Sequence, residues 1–320
     1  DLIPSKLINQ KSIENAIRCI HAIGGSTNSI IHLIAIAGRV GIKLPLQLFD
    51  DLAKTTPFIL NLKPSGKYLM EDFYYAGGVP AMMQRISHLL NLDSETITGK
   101  SLGENIMGSF VHNDDIIRSV DNPLDPEGGL AVLKGNLAPT GAIIKPTAAS
   151  SELMVHKGKA VVFEDHDDLA ARIDDPDLEV SPEDILVMKN SGPVGAPGIP
   201  EWGFLPIPKK ILATGVRDMV RLSDARMSGT AFGTVVVHVT PESANGGPLS
   251  AVRNGDMIEI DVPNRKLNLL ISEDEMKSRV SEKIYEGPQF KRGFKWLHAR
   301  HILQADLGCD FDFLIHEDLQ

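Results

Sequence analysis

Apolar positions in the first part of the chain recur with a helical period. Residues 12–23 carry apolar side chains three and four positions apart, which predicts an amphipathic helix. Ser12 is the expected N-cap of this helix, although Asn15 stands where a capping box would carry Glu. The pair Gly24 and Gly25 would end the helix, because glycine is the usual residue just past a helix C-terminus.

Two more helices are expected before residue 60. Residues 28–37 are apolar on nearly every face, which predicts a buried helix with His32 as a satisfied core histidine. Residues 45–54 predict a further helix with Asp50 and Asp51 on its solvated side.

Beyond about residue 120 the pattern changes to short apolar runs separated by turns, which favours a barrel or closed sheet with short helices between strands. The predicted fold class is α/β. The end of an N-terminal α/β domain would occupy residues 1–120, a β-barrel-like domain with flanking helices would occupy 121–280, and a tail suited to subunit contacts would occupy 281–320. The strand-like runs are residues 130–133, 141–144, 159–163, 185–188, 233–239, 257–262 and 266–271, with 218–222 as a further candidate.

The part of the chain richest in Gly and Pro is residues 189–230. It follows an apolar run, 184–188, that predicts a buried strand. The Gly and Pro residues of 192–200 exclude a helix or a central strand, so this segment is expected to be an ordered loop that ends at Glu201. A second turn containing Gly follows at 223–230.

Composition narrows the class of protein. The chain has 320 residues and a net charge of −10, and its Lys and Arg residues form no run, which argues against nucleic-acid and electrostatic membrane binding. No apolar run approaches the ~20 residues that a membrane span needs. Cys19 and Cys309 are the only cysteines. They make no disulfide framework, so a reducing, cytoplasmic setting is expected, with an organelle left open.

Two other patterns carry no chemistry. The Gly-Lys-Ser triplet at 99–101 lacks the upstream glycine of a P-loop and no strand precedes it, so ATP binding is rejected. Glu71 and Asp72 are adjacent and would face opposite sides of a strand, which makes them a poor catalytic pair.

A series of short motifs runs from about residue 5 to about residue 280. In chain order they are GGSTN at 24–28, DNP at 121–123, GNLAP at 135–139, KP at 145–146, GKAVVFE at 158–164, PGIPEWG at 197–203 and SDARMSGT at 223–230. Together they resemble the family of dihydroxy-acid dehydratases and 6-phosphogluconate dehydratases. The resemblance implies a C-terminal β-barrel surrounded by helices, in agreement with the strand pattern.

Removing water from a 2,3-dihydroxy acid needs a base for the C2 proton, a Lewis acid for the C3 hydroxyl and a cation for the carboxylate. The resemblance implies that Mg²⁺ binds the substrate carboxylate and C2 oxygen, while an iron–sulfur cluster takes the leaving hydroxyl. It further implies that Glu201 is a magnesium ligand, since magnesium prefers hard oxygen ligands. Ser228 would be the base, which needs adjacent metal charge to lower its pKa.

Three residues of the GGSTN motif, Ser26, Thr27 and Asn28, are candidates for substrate binding. Backbone N–H groups and hydroxyls at the start of a helix suit an anion such as a carboxylate or phosphate, but plain helix capping explains them equally well. Arg226 and Thr230 would orient the second turn or the substrate, with Arg226 as a partner of a carboxylate or hydroxyl.

The resemblance also implies a long region before GGSTN that supplies the cluster cysteines and most magnesium ligands. Neither Cys19 nor Cys309 lies where the family places a cluster ligand, so no cluster ligand is expected in this chain. The chain is therefore expected to be incomplete, as the C-terminal part of a longer enzyme.

The segment KYLMEDFYYAGG at 67–78 and the tail at 299–313 resemble sugar-acid dehydratases that act on pentonates or related aldonates. The expected reaction forms a 2-keto-3-deoxy acid. Two alternatives stay open: a dihydroxy-acid dehydratase of branched-chain amino-acid biosynthesis, and a non-catalytic fragment that serves assembly. The expected partners are a small sugar acid or dihydroxy acid and further copies of the chain, as a homodimer or homotetramer. Within the tail, His301 would reach a substrate or a neighbouring subunit, or simply dock the tail.

Overall fold

The structure is a computed structural model that describes residues 2–202, 205–228, 231–282 and 290–319. The chain divides into two compact units, one formed by residues 1–130 with 315–320 and the other by residues 131–314. The domain boundaries expected at residues 120 and 280 stay predictions. Within the described ranges, none of the helices combines the length and the apolar composition that a membrane crossing requires.

The first unit is built from helices, with isolated β-bridges such as Phe58 with Asp125 between its loops. The longest helix begins after Asn9, whose side chain accepts a hydrogen bond from the Ser12 backbone N–H at 3.1 Å. The Ser12 hydroxyl in turn accepts from the Asn9 backbone N–H at 2.9 Å. Ser12 is therefore the third helical residue of a capping box, and its prediction as N-cap was wrong. The helices are α1 Pro4–Leu7, α2 Gln10–Ile23, α3 Asn28–Arg39, α4 Leu46–Ala53, α5 Met70–Tyr75, α6 Gly78–Arg85 and α7 Leu102–Ile106.

Glycine ends α2 as expected. Gly24 adopts a φ of 65° and its N–H donates to the His21 carbonyl at 3.2 Å, a carbonyl near the end of the helix that also accepts from the Gly129 N–H at 3.1 Å. A Cβ on Gly24 would lie 2.7 Å from the ring of Phe58, so packing as well as backbone conformation requires glycine here.

For two side chains of the first unit, the observed burial is the reverse of that predicted. His32 is exposed on α3, so it is not a core histidine. Asp50 is only 3% exposed and its carboxylate pairs with Lys54 Nζ at 2.8 Å, whereas a solvated position was expected. Helical periodicity identifies the buried stripe from the apolar residues alone, so it misplaces a polar residue at the edge of that stripe.

The second unit contains a closed barrel, which confirms the α/β fold class with a β-barrel and flanking helices. Each of the strand-like runs corresponds to a strand within a few residues. The strands are β1 Ala131–Gly135, β2 Ala138–Ile144, β3 Val155–Phe163, β4 Ile185–Met188, β5 Arg221–Ser223, β6 Val235–Thr240, β7 Met257–Asp261 and β8 Lys266–Leu269, in the order β1-β2-β6-β5-β4-β3-β7-β8 around the barrel. The helices of this unit are α8 His166–Arg172, α9 Lys209–Ala213, α10 Glu273–Glu282 and α11 Phe294–His301.

The barrel closes where β1 meets β8, and this seam depends on a side chain. The two strands share a single paired position, Lys134 with Lys266. Next to it, the amide of Asn136 donates to the Leu269 carbonyl at 2.8 Å and accepts from the Leu269 N–H at 2.8 Å. The Asn136 side chain therefore makes the two hydrogen bonds that a backbone peptide group would make.

The interior of the barrel is apolar. Strands β4 and β6 are buried at every position, as expected for strands covered on both faces. The buried cluster inside includes Leu133, Ile144, Val187, Leu222 and Ile260. The barrel is thus a packed core, and chemistry is confined to the loops at its ends.

Candidate functional site

The two loops that the sequence singled out start side by side at one end of the barrel. Strands β4 and β5 are parallel, and their last residues, Met188 and Ser223, are paired. The next residue after β4, Lys189, is 1% exposed and donates from Nζ to the carbonyl of Val252 at 2.6 Å and that of Ser250 at 3.2 Å. A buried ammonium satisfied by carbonyls anchors the start of the first loop.

Glu201 and Arg226 are brought together. They form an isolated parallel β-bridge between the two loops, and the Trp202 N–H donates to the Arg226 carbonyl at 3.4 Å. Glu201 is exposed, so its carboxylate is accessible from solvent. The neighbouring Trp202 ring stacks on His166 of α8, with ring centroids 4.0 Å apart and an interplanar angle of 15°.

Ser228 lies two residues beyond Arg226, and its carbonyl accepts from the Ala231 N–H at 3.0 Å. Both residues are half-buried. Arg226 Nε is buried and has no hydrogen-bond partner among the described residues, and binding of a substrate by this guanidinium stays a prediction. Thr230, the other predicted substrate-binding residue of this loop, lies outside the described residues.

Asp224, in the loop after β5, makes buried hydrogen bonds to two other segments. Asp224 is 1% exposed and its two carboxylate oxygens accept from the N–H groups of Ser191 and Ser243, each at 2.9 Å. Burial raises the pKa of Asp224, while these backbone hydrogen bonds favour its ionised form. Asp224 thus joins the loop after β4 to the loop after β5 and to the segment after β6.

The GGSTN residues lie in the first unit. The Ser26 hydroxyl accepts from the Asn28 N–H at 3.2 Å, which is a local turn contact. Thr27 occupies the N-cap of α3 without a side-chain capping bond, and both Thr27 and Asn28 are buried. The hydroxyl of Ser26 therefore supports the start of α3, and substrate binding by these three residues stays a prediction.

The tail residue His301 pairs within the tail. Its Nδ1 lies 3.0 Å from Asp312 Oδ1, and its ring meets the edge of Phe313 with centroids 5.3 Å apart. These contacts are of the kind that docking of the tail requires.

The described residues do not fit an iron–sulfur cluster. Burial raises the pKa of the Cys19 thiol to about 12, and burial together with the charge of Glu242 also raises the pKa of the Cys309 thiol. Cluster ligands are thiolates, which these environments disfavour. In the ranges that the structure describes, no group of three or more His, Cys, Asp or Glu side chains is arranged to hold a metal ion. Glu201 offers one carboxylate to a magnesium ion but no complete site.

A cavity of about 770 Å³ lies at the other end of the same strands and contains none of the predicted site residues. Its lining includes Lys159, Arg172 and Asp184, next to the starts of the paired segments of β3 and β4. The loops that carry Glu201 and Arg226 lie at the opposite end of these strands, whereas the motif at 158–164 contributes Lys159 to the cavity.

Comparisons with known proteins agree with the motifs. A 51% identical relative, an L-arabinonate dehydratase from Rhizobium leguminosarum bv. trifolii, aligns over 98% of this chain and 55% of its own length. A 6-deoxy-6-sulfo-D-gluconate dehydratase from Pseudomonas putida is 48% identical over the same shares of the two chains. A dihydroxy-acid dehydratase from Acetivibrio thermocellus is 39% identical over 97% of this chain and 56% of its own.

The expectation that the chain is the C-terminal part of a longer enzyme is corrected in one respect, because the match is not confined to the family's C-terminal domain. The domain described as dihydroxy-acid/6-phosphogluconate dehydratase N-terminal matches residues 1–105, and the corresponding C-terminal domain matches residues 115–309. The chain spans about half the length of the curated relatives that it matches. Since both domain descriptions match in order and the relatives align over nearly all of it, the chain belongs to the dihydroxy-acid/6-phosphogluconate dehydratase family.

Proposed function

We propose that the protein is a hydro-lyase that removes water from a 2,3-dihydroxy sugar acid to give a 2-keto-3-deoxy acid. The observation that carries the proposal is the pairing of Glu201 with Arg226, which joins the two motif loops at one end of the barrel. Ser228 follows in the same loop as Arg226. The sugar-acid dehydratases among the relatives, at 51% and 48% identity, support a sugar acid as substrate.

In the proposed reaction Ser228 Oγ takes the proton from C2 of the substrate. The C3 hydroxyl takes up one proton, which balances the one removed from C2, and leaves as water. The resulting enol moves its hydroxyl proton to C3 and becomes the 2-keto acid, so that the product is the substrate minus one water. A serine hydroxyl is a weak base, and a neighbouring positive charge lowers its pKa. Arg226 supplies a cation in the same loop and would also bind the substrate carboxylate through paired N–H groups.

The family in general depends on magnesium and an iron–sulfur cluster, and we propose the same cofactors for the whole protein. Magnesium would stabilise the charge that develops on the substrate oxygens, and the cluster would act as the Lewis acid. Glu201 would contribute one hard oxygen ligand to the magnesium. The described residues contain no set of side chains grouped to bind the cluster or to complete the magnesium site, so other groups would supply those ligands. Assembly into a homodimer or homotetramer is part of the same proposal.

The test is a substitution series in the full protein, assayed for 2-keto acid formation from a panel of aldonates. Ser228→Ala should lower kcat by at least ~10²-fold, the usual contribution of a general base, while changing stability by ~1 kcal/mol or less. Glu201→Gln should weaken magnesium binding as well as activity, and added magnesium should partly restore it. Ser151→Ala, in an exposed turn of the same unit, is the matched control.

Four results would contradict this assignment. Turnover by Ser228→Ala near that of Ser151→Ala would make the DARMSG loop a structural turn. Equal loss of magnesium from the Ser228 and Glu201 variants would make Ser228 a ligand instead of the base. Turnover of a branched 2,3-dihydroxy acid in preference to every aldonate would favour the alternative, a dihydroxy-acid dehydratase, which the 39% identical relative keeps open. No turnover of any acid by the wild type would favour a non-catalytic role.

A further inference from the structure

A second buried carboxylate, Glu242, holds the loop that leads to Glu201. Glu242 follows β6 and is 1% exposed. Its oxygens accept from the Val194 N–H at 2.9 and 3.0 Å and from the Gly195 N–H at 3.0 Å. Two consecutive backbone N–H groups directed at one carboxylate form an anchor, because hydrogen bonds to an ionised acceptor are stronger than those between neutral groups.

The opposite side of the Glu242 carboxylate is held by Gln304, which lies just after α11. Gln304 Nε2 donates to Glu242 Oε1 at 2.7 Å, and Gln304 Oε1 accepts from the Glu242 backbone N–H at 2.9 Å. The second bond fixes the orientation of the Gln304 amide, since only its oxygen can accept from an N–H. All contacts to the Glu242 carboxylate are therefore donors, which suits the ionised form.

Close packing beside the loop restricts the position of the Glu242 carboxylate. A Cβ on Gly192 would lie 2.6 Å from Glu242 Oε2, so the Glu242 side chain occupies the space beside that glycine. Further along, the Gly198 N–H donates to His298 Nε2 of α11 at 3.1 Å. His298 is 4% exposed, and burial lowers its pKa, so its imidazole stays neutral and able to accept this bond.

Two consecutive turns connect the residues held by Glu242 to Glu201. The Ala196 N–H donates to the Gly192 carbonyl at 2.9 Å, and the Ile199 N–H donates to the Ala196 carbonyl at 2.9 Å. Each turn fixes the direction of the next, so a displacement at residues 194–195 moves the segment that ends at Glu201.

We propose that Glu242 is a positioning residue that fixes the loop of residues 192–199 and thereby places Glu201 for ligand binding. The inference rests on the proposed function in so far as Glu201 binds a metal or substrate there. Glu242 touches neither of the proposed reacting groups, and it acts through the backbone of the loop.

The charge environment of Glu242 gives the proposal a distinctive signature. Burial, and then the neighbouring charge of Asp224, raise the pKa of Glu242 to about 7, while the loop N–H groups and Gln304 act in the opposite direction. The other titratable group that faces it is the Cys309 thiol, which also senses Arg226 and Asp306. Burial favours the protonated form of Glu242 in the folded protein, but the loop N–H groups favour the ionised form, so a proton weakens their hold on the loop even while the protein stays folded.

The experiment is hydrogen–deuterium exchange by mass spectrometry on the full protein, followed through peptides that cover residues 190–200. Glu242→Gln should speed amide exchange in this segment by roughly tenfold or more, because it replaces a charge-assisted anchor by a neutral one. In the wild type, protection relative to intrinsic exchange should fall as the pH decreases through about 7, whereas in Glu242→Gln it should be independent of pH. Glu273→Gln, exposed on α10, is the matched control.

Activity provides the second measurement. Glu242→Gln should reduce kcat/KM for the accepted acid and raise the magnesium concentration needed for half-maximal activity, while Glu242→Asp should recover part of the loss. Exchange in Glu242→Gln equal to that in Glu273→Gln would overturn the inference whatever the activity. Faster exchange with unchanged kcat, KM and magnesium requirement would overturn it too, since the loop would then be held without being positioned for ligands. If the wild type turns over no acid, the proposed function fails separately, and faster pH-dependent exchange still supports the anchor.

Discussion

Removing the carboxylate of Asp218 should destabilise the barrel unit more than removal of any exposed acid. Asp218 pairs with Arg221 of β5 at 3.0 Å, and the two side chains are 5% and 3% exposed. The same carboxylate accepts from the Ser150 N–H at 3.1 Å and from the hydroxyl and N–H of Thr234 at 2.8 and 2.9 Å. Asp218→Ala would leave these donors and the guanidinium buried without their acceptor.

The magnitude follows from the asymmetry of buried ion pairs. Removing one partner of a buried pair typically costs ~3–5 kcal/mol, because the remaining charge stays desolvated. Arg221 keeps hydrogen bonds to the carbonyls of Leu205 and Phe232, at 3.0 and 2.9 Å, which favours the lower part of that range. For a unit of this size, we expect a decrease in Tm of roughly 6–20 °C.

Tryptophan fluorescence is the appropriate assay. The two tryptophans, Trp202 and Trp296, both belong to the second unit, so their signal reports its unfolding. Asp174→Ala is the matched control, since Asp174 also pairs with a cation, Lys209 at 2.7 Å, but on the surface. Surface pairs contribute little, so the control should unfold with the wild type.

The reasoning is refuted if Asp218→Ala and Asp174→Ala unfold at the same denaturant concentration. Asp218→Asn is an informative intermediate, because it keeps one acceptor oxygen while removing the charge. A loss in Asp218→Asn as large as that in Asp218→Ala would assign the effect to the ion pair. A much smaller loss would assign it to the backbone hydrogen bonds.

Two further predictions concern titration. The pKa of Glu242 is raised from 4.5 to about 7, so the folded state holds this proton more tightly than the unfolded state does. The stability that this proton gives the folded state is complete below about pH 4.5 and disappears as the pH rises through about 7. Denaturation across this range should therefore show a flatter pH dependence for Glu242→Gln than for the wild type, and parallel curves would contradict the shift. Since burial raises the pKa of the Cys19 thiol to about 12, iodoacetamide should leave Cys19 unmodified in the native protein at about pH 8 and alkylate it after unfolding, as followed by mass spectrometry. Rapid native labelling would show that α2 opens.

The fold could be predicted from local pattern to a large extent. Residues 185–188 and 233–239 are apolar runs between turns, and both are strands in the barrel. The three-residue strand β5 was only a further candidate, at 218–222, because so short a run gives little periodic signal. Strand order could not be predicted, since the neighbours β2 and β6 are far apart in sequence and no local feature records their pairing.

The candidate site was predicted in part. Motif resemblance drew attention to Glu201 and Arg226, and the structure pairs them. It gave no reason to select Glu242, Gln304 or His298, because each acts on a backbone group that lies 40 or more residues away in sequence. The sequence offers one local indication of Glu242. Its carboxylate comes immediately after the buried strand β6 and Pro241, and a charge at such a position requires partners.

Asn136 at the barrel seam bears on how a sheet edge is protected from further strands. A sheet edge offers unpaired N–H and C=O groups to any passing strand and is a common origin of aggregation. Here a side-chain amide occupies the edge position beside Leu269, where a second chain would otherwise add its backbone. Beside the one paired position, Lys134 with Lys266, the seam is held by the Asn136 side chain and by the Leu137 N–H, which donates to the Leu267 carbonyl at 3.4 Å. Asn136 therefore contributes part of the protection of this edge, and a change such as Asn136→Leu should weaken it.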